Sequence, residues 1–391
     1  MGTLDGVRVI EMAGIGPAPF CCMLLADMGA EVLRIDRLVA SDLGVAVPSR
    51  FDLLNRNKRS AALDLKSAQG IETAKTLIAE ADILIEGFRP GVMEKMGLGP
   101  DVCLDLNPRL VYGRMTGWGQ DGPLSQAAAH DLNFIALSGM LSTIGHKGQA
   151  PAIPLNVIGD FGGGALYLAM GVLAAVIQAR VSGKGQVVDA AIVDGVSNLL
   201  AMQYGFKQMN IWSDARGSGL LNGGAPFYNV YLTKDGGYVS IASVEEKFYA
   251  ELIERIGLNA DDLPNEEGRY AAELPEQNDQ ASWAHMQERF AEIFKTRTRA
   301  EWCEILEGTD ACFAPVLDMD EAPMHPHFVA RKMFADVDGV LNPQPAPRFS
   351  RTPSELKRPP PKVGADTAQA LSDWGMSAAQ IAELKEAKVI A

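Results

Sequence analysis

The sequence predicts an α/β protein whose large domain has a parallel sheet covered by helices, followed by a smaller α+β domain. Through the first 200 residues, short strand patterns alternate with helical patterns, which is typical of parallel sheets. Near residue 215 the chain becomes rich in glycine, and a β-hairpin pattern follows. The length agrees with this division, because 391 residues is too long for one typical core.

The large domain is predicted over residues 1–200, and its elements can be placed one by one. Strand patterns cover residues 7–12, 31–36, 60–65, 82–86, 110–115 and 187–191. Helical patterns cover residues 17–29, 67–81, 159–180 and 193–205, and Ser67 is a suitable N-cap. In parallel sheets of this kind, ligands bind outside the carboxyl ends of the strands. We therefore expect the functional residues at that edge.

The second domain is predicted over residues 222–318, after a glycine-rich linker at 201–221. It opens on a hairpin of two strands at 227–232 and 238–242 and continues with helices at 247–256, 283–295 and 299–306. A proline-rich return linker at 319–350 is expected to run extended over a surface. Residues 325–391, with a helix at 377–388, are expected to complete the large domain.

Composition narrows the classes of function. The net charge is −14 and the pI is about 4.9, which argues against a nucleic-acid-binding surface. The five cysteines show no CxxC spacing, so we expect reduced thiols in a cytoplasmic protein and neither a disulfide framework nor a zinc site. The first residues do not resemble a signal peptide, and the longest apolar stretch, 161–177, is expected to be too short to span a bilayer.

Two residues are candidates for acid–base chemistry. His130 begins a short helical pattern, where it could be a base or could only cap the helix. Asp160 stands before three consecutive glycines, Gly162–Gly164, and could be an acid or only an N-cap. Three glycines weaken a first helical turn, and a chain accepts this where a ligand oxygen must approach the backbone closely. The N–H groups of Asp160 and the glycine turn are therefore expected to stabilise a developing oxyanion.

Cationic residues recur where strands are predicted to end. They are Arg34, Arg37, Lys66, Arg89 and Lys95. Each could be scattered surface charge, but together, in an acidic protein, they indicate a polyanionic ligand such as a nucleotide. The sequence carries no GxGxxG, P-loop, HExxH or GxSxG motif. The residues alone thus predict an enzyme that binds an anionic ligand and uses acid–base residues without a metal.

Four segments taken together resemble a known family. They are Ala13-Gly-Ile-Gly-Pro17, Ala129-His-Asp-Leu-Asn-Phe134, Gly159-Asp-Phe-Gly-Gly-Gly164 and Gly223-Gly-Ala-Pro-Phe-Tyr228. Their order and spacing are similar to those of the α-methylacyl-CoA racemases, within the class III CoA-transferases, over nearly the whole chain. The resemblance implies a Rossmann-like large domain, a small domain and a homodimer of two chains interlocked as linked rings. The proline-rich segment would then be a crossing linker.

The resemblance also implies roles for particular residues. His130 and Asp160 match the catalytic histidine and aspartate, and a glutamate that supports the histidine matches Glu245, although Glu246 is adjacent. CoA contacts match Arg37, Leu63, Asp64, Leu65, Lys66, Gly87, Phe88, Arg89, Lys95, Ala129, Asp131, Leu132, Asn133 and Phe134. At Ala129 the family pattern has glycine, so the methyl group bears on which acyl group is preferred.

The expected function is interconversion of R and S 2-methylacyl-CoA thioesters through an enolate, with acyl-CoA as the substrate and no cofactor or metal. Inversion needs two groups flanking the α-carbon, one accepting a proton while the other donates. Two alternatives stay open at this point. One is a CoA-transferase in which Asp160 attacks the thioester and carries the acyl group. The other is a CoA-binding protein without catalysis, because a fold by itself does not fix the function.

Overall fold

The computed structural model describes residues 2–39, 44–45, 47–213, 215–259 and 274–391. The chain divides into two compact units. The first contains residues 1–140, 154–201 and 330–391, and the second contains residues 141–153 and 202–329.

The first unit is built on a six-stranded parallel sheet with the order β3-β2-β1-β4-β5-β6. Its strands are β1 Arg8–Met12, β2 Glu31–Arg37, β3 Arg59–Leu63, β4 Ile83–Glu86, β5 Val111–Thr116 and β6 Gln186–Ala191. The central strands are almost wholly buried, as expected when helices cover both faces of a sheet. The predicted α/β fold with a parallel sheet is confirmed.

Helices follow the strands at nearly the predicted positions. They are α1 Pro17–Asp27, α2 Ala68–Ala79, α3 Val92–Lys95, α4 Pro100–Leu106, α5 Asp131–Leu137, α6 Leu166–Ser182 and α7 Ile192–Leu199. Ser67 caps α2 as predicted, since its hydroxyl accepts the Gly70 N–H at 3.0 Å. A further helix, α8 Ala201–Gln208, follows α7, so the single predicted helix at 193–205 is in fact two.

The glycine-bearing segment departs from the predicted regular helix. Residues Val157–Ala165 form a π-helix that runs directly into α6. Gly163 and Gly164 are buried against α7, where an added Cβ on Gly163 would lie 2.5 Å from Val196 Cγ2. The expectation that these glycines make room for a ligand is therefore wrong for these two residues. They allow two helices to approach closely.

The apolar helix is also longer than the sequence pattern indicated. The stretch Val157–Ser182 has 26 residues and is long and apolar enough to cross a membrane by length and composition. The predicted apolar stretch, 161–177, was too short because the helix extends beyond it at both ends, through the π-helical segment at its start and as far as Ser182 at its end. The helix packs on β5 and β6, and 44% of its most apolar window is buried in the protein. That the protein has no membrane span stays a prediction.

The second unit contains an antiparallel sheet of β7 Tyr228–Leu232, β8 Tyr238–Ala242 and β9 Phe313–Val316. Helices α9 Glu246–Ile256, α10 Trp283–Phe294 and α11 Arg299–Leu306 contribute to one apolar core with the sheet. The predicted hairpin and all three helices are present. Residues 141–153 belong here rather than to the first unit, because Arg216 Nη1 donates to the Ser142 carbonyl at 3.0 Å and its Nη2 donates to the Gln149 carbonyl.

The proline-rich segment is not uniformly extended. It contains a short helix, α12 Pro326–Ala330, and an antiparallel hairpin of β10 Phe334–Val337 and β11 Val340–Pro343. Asp338 and Gly339 form the turn with positive φ angles of 53° and 75°, the Asp-Gly signal that favours a two-residue hairpin. The prediction of an extended linker over 319–350 is wrong in this stretch. Residues 330–391 join the first unit, where α13 Thr367–Asp373 and α14 Ala378–Glu386 pack on its core.

Candidate functional site

A cavity of about 390 Å³ lies where the strand order of the first unit reverses. β1 and β4 are neighbours here, and their chains continue in opposite directions across the sheet. The segments that follow strands β1, β4 and β5 all line the cavity; they are Ile15–Ala18, Gly87–Pro90 and Thr116–Trp118. Doubly wound sheets bind their ligands at such a reversal. The predicted location at the carboxyl edge is therefore where the structure has its cavity.

Both acid–base candidates line this cavity. His130 is exposed at the N-cap position of α5, and its backbone N–H donates to Asn133 Oδ1 at 3.1 Å. Asp160 lies in the π-helix that leads into α6. Electrostatic attraction to the imidazole favours the ionised form of Asp160, but burial outweighs it and the pKa of that carboxyl group is raised. The structure thus brings together, around one cavity, two residues that are 30 positions apart in sequence.

Burial is the largest influence on Asp160 and raises its pKa above the ordinary value for an aspartate. The Asn156 side chain lowers the pKa of Asp160 by donating to its Oδ2 at 3.3 Å, whereas the nearby Asp131 carboxylate raises it further. A carboxyl group whose protonated form is favoured can donate a proton at a higher pH than an exposed one. Asp160 therefore has the properties of a general acid as well as a base.

Asp131 has a structural role that the sequence did not indicate. Its side chain is buried, and Oδ2 accepts the backbone N–H of Asp160 at 2.7 Å. Gly159 makes this possible, because a Cβ there would lie 2.5 Å from the same oxygen. The Asp160 N–H is thus already bonded, and the prediction that it serves the oxyanion is wrong for this structure. Asp131 is not among the residues that line the cavity, and its predicted contact with CoA stays a prediction.

The predicted CoA contacts fall into two groups. Those lining the cavity are Gly87, Phe88, Arg89, Ala129 and Phe134. Those outside it are Arg37, Leu63, Asp64, Leu65, Lys66, Lys95, Asp131, Leu132 and Asn133. Arg37 is the exposed last residue of β2, and Lys66 is exposed three residues after β3, so both share the cavity's edge of the sheet. The Leu63 side chain lies in the core, which leaves only its backbone for a ligand.

Glu245 belongs to the second unit. It is exposed at the N-cap of α9, and Glu246 is the first residue of that helix. Its support of His130 stays a prediction.

Sequence reasoning missed several residues that shape the cavity. Gly16 has a φ of 69°, and a Cβ there would lie 3.4 Å from Asp160 Oδ2. Gly117 lies so close to the Phe134 ring that any side chain would overlap it, and Trp118 packs edge-on against the same ring with centroids 4.8 Å apart. Gly117 and Trp118 directly follow β5, and a Gly-Trp pair in that position was a sequence signal that could have found both residues.

Neither a candidate metal site nor a pair of bonded cysteines is present in the described part of the chain. Within it, no group of three or more His, Cys, Asp or Glu side chains is placed to hold a metal ion. All five cysteines are unpaired, and Cys21 and Cys22 are fully buried.

The parallel sheet and the cavity at its reversal define the class of doubly wound α/β proteins. The family model described as CoA-transferase family III matches residues 4–367. The chain belongs to this family.

Particular relatives narrow the class further. The alpha-methylacyl-CoA racemase of Mus musculus is 43% identical over 390 residues, covering 99% of this chain and 97% of that protein. The alpha-methylacyl-CoA racemase of Homo sapiens is 41% identical over 392 residues, with the same coverage of each chain. The crystal structure of a CAIB/BAIF family protein from Brucella suis is similar with a TM-score of 0.80 and 25% identity, covering 95% of this chain and 99% of that one.

Proposed function

We propose that this chain is a racemase, an isomerase that interconverts the R and S forms of 2-methylacyl-CoA thioesters. Identity above 40% to two alpha-methylacyl-CoA racemases over nearly the whole chain supports this activity. The observation that carries the chemistry is the presence of His130 and Asp160 on one cavity at the reversal of the sheet.

In the proposed reaction, one of these two groups removes the proton at C2 of the thioester. The electron pair of the broken C–H bond moves onto the thioester oxygen and gives a planar enolate. The other group then donates its proton to the opposite face of C2, and exchange with water restores both side chains. Asp160, whose pKa is raised by burial, suits either half of this exchange. Acyl-CoA is the substrate, and the proposed reaction uses no cofactor.

Arg89 is the proposed cation for the CoA moiety inside the cavity, with Arg37 and Lys66 along the same edge of the sheet. Arginine suits this role because its planar guanidinium donates two parallel hydrogen bonds to a phosphate. Glu245 is proposed to orient the His130 imidazole, and comparison of E245Q with E246Q separates the two candidates.

A homodimer is part of the proposal. α6 carries an exposed apolar row that would be costly to leave in water: Leu166, Met170, Ile177 and Val181. The sheet of the second unit presents a similar row: Val230, Leu232, Tyr238 and Val316. A second copy of the chain is the proposed partner for both, and the two chains are proposed to interlock. Light scattering should give a mass near twice 41.9 kDa. A monomer would overturn this part.

The proposed setting is cytoplasmic, without nucleic-acid or membrane partners. The unpaired cysteines and the net charge of −14 support it.

The proposed activity is tested by incubating one pure enantiomer of a 2-methylacyl-CoA with the enzyme in deuterated buffer and no free carboxylic acid. Loss of optical purity together with one deuterium at C2 is expected. A transferase that uses Asp160 as a nucleophile would instead leave the centre intact, need a carboxylate acceptor and yield a hydroxamate with hydroxylamine. That result would replace the racemase proposal.

The matched variants are H130A and H146A. His146 is an exposed histidine in the second unit, outside the cavity. H130A should lose about 10²–10⁴-fold in rate, the usual contribution of a positioned acid or base, and H146A should keep its rate. Equal rates for all three proteins would remove His130 from the mechanism.

A further inference from the structure

A buried carboxylate stands directly before the turn that lines one side of the cavity. Glu86 ends β4, is fully buried, and is followed by Gly87, Phe88 and Arg89, all of which line the cavity. The mechanism above does not use Glu86. A buried charge is costly unless it is paired and hydrogen-bonded, so its partners indicate what it holds in place.

Both oxygens of Glu86 have partners. Oε2 accepts the backbone N–H of Phe88 at 2.7 Å, which closes the turn on itself. Oε1 accepts Arg114 Nε at 3.0 Å from the neighbouring strand β5. Arg114 also donates to Glu94 of α3 at 2.8 Å, so the guanidinium lies between two carboxylates.

The far end of the turn is held as well. The Phe88 ring packs against the core of the first unit, and Gln126 Nε2 donates to the Pro90 carbonyl at 3.1 Å. Gly87 has no freedom to relax inward, because an added Cβ would lie 3.3 Å from Ala18 Cβ. Between these fixed points, the bond from Glu86 to Phe88 N–H sets the path of the backbone that carries Arg89.

We propose that Glu86 is a positioning residue for the CoA side of the cavity, which holds the Gly87–Arg89 turn by joining Phe88 N–H to Arg114. This inference rests on the proposed function, since it concerns how an acyl-CoA is bound. Preorganised groups bind more tightly because less freedom is lost on association. Loss of the anchor should therefore weaken CoA binding and leave the acid–base pair intact.

The charge of Glu86 also gives the turn a dependence on pH. Burial raises the pKa of Glu86 to about 7, opposed by the Phe88 N–H and the Arg114 guanidinium. The titratable groups that face it are Arg114 and Tyr112 on β5 and Glu94 on α3. A proton turns one oxygen into a hydroxyl and removes the negative charge, so the bonds from Phe88 N–H and Arg114 weaken. Binding should weaken as pH falls through about 7.

The test measures the Kd of coenzyme A by titration calorimetry at pH 8 and pH 6 for the native enzyme, E86Q and E94Q. E86Q should raise the Kd at pH 8 about tenfold, the loss of one charge-assisted hydrogen bond. E94Q should stay within about twofold, because Glu94 pairs with Arg114 from a half-exposed position and is not bonded to the turn. The ratio of E86Q to native Kd should shrink at pH 6. Protonation of the coenzyme A phosphates cancels in this ratio, because it affects the Kd of every protein alike.

A native-like Kd for folded E86Q, or an equal loss in E94Q, would overturn the positioning role. If E86Q unfolds, E86D provides a second reading, because it keeps the charge but shortens the side chain that reaches Phe88 N–H and Arg114. Once its fold is verified by circular dichroism, its Kd at pH 8 should exceed the native one, and a native Kd would overturn the positioning role. A native enzyme that neither binds coenzyme A nor racemises would defeat the proposed function itself. Native racemisation with unchanged E86Q binding would defeat only this inference.

Discussion

The cavity has two kinds of wall, and they carry different chemistry. One wall consists of turns that follow parallel strands, with Gly87–Arg89 as its cationic part. The other is helical and presents His130 from the start of α5 and Asp160 from the π-helix. The strand turns supply a cation and close backbone approach, which suit binding, and the helical wall supplies two proton-transfer groups. The difference predicts that binding and catalysis can be changed separately here.

The largest effects should come from the helical wall. H130A and D160N should each lower racemisation by about 10²–10⁴-fold. In deuterated buffer, each variant should still exchange the C2 proton for deuterium in one enantiomer only, with retention of configuration. That enantiomer is the one whose proton faces the remaining base. The two variants should therefore favour opposite enantiomers, which nuclear magnetic resonance of each pure substrate in deuterated buffer would measure. Exchange of the same enantiomer by both variants would contradict the proposed approach of the two groups from opposite faces of C2.

The backbone of the helical wall depends on close helix packing, which a pair of alanine variants can examine. G163A should lower the free energy of unfolding by about 1–3 kcal/mol, because the new methyl group overpacks against Val196. G162A is the control, since its Cβ would lie 3.3 Å from the Val157 carbonyl and needs only a slight shift. Urea unfolding measures both. Equal stability of the two variants would show that packing on α7 does not hold this wall.

The strand turns should affect binding with little effect on the chemical step. R89Q should raise the KM for acyl-CoA about tenfold at nearly constant kcat, because a charge-assisted bond to phosphate is lost equally from ground and transition states. R109Q is the matched control, since Arg109 is exposed before β5, at the opposite end of the sheet. A fall in kcat for R89Q with unchanged KM would contradict the separation of the two walls.

Most of the first unit could be predicted because its signals are local. Strand and helix patterns, the Ser67 cap and the position of the site at the carboxyl edge all follow from hydrophobic periodicity and the topology of parallel sheets. His130 and Asp160 could be proposed because each combines a reactive side chain with a predicted helix start, although Asp160 lies inside the π-helix and Asn156 is at its N-cap position.

Most of the failures share a cause, because the features that were missed depend on contacts between segments that are distant in sequence. Nothing near Asp131 in sequence indicates that its carboxylate accepts the Asp160 N–H. The glycines after Asp160 gave the wrong expectation because their neighbours, Ile192 and Val196, come some thirty residues later. The hairpin at Asp338 and Gly339 is different, since its turn signal was local and the surrounding prolines obscured it.

The smallest predicted effect tests the electrostatics of the helical wall. D131N keeps an oxygen that can accept the Asp160 N–H but removes a negative charge that raises the pKa of Asp160. The pKa of Asp160 should therefore fall, and the acid limb of kcat/KM should move to lower pH for the enantiomer from which Asp160 takes the proton. A pH profile on each enantiomer measures this.

The control for that shift is D82N. Asp82 likewise accepts a backbone N–H, that of Arg8 at 2.9 Å, but it lies at the amino end of β4, away from the cavity. Its pH profile should match the native one. A shift in D131N toward higher pH would mean that the lost charge matters less than a rearranged π-helix, because removing a like charge can only make ionisation of Asp160 easier. The two segments of the helical wall, α5 and the π-helix, would then be linked through the backbone that Asp131 holds, and not through its charge.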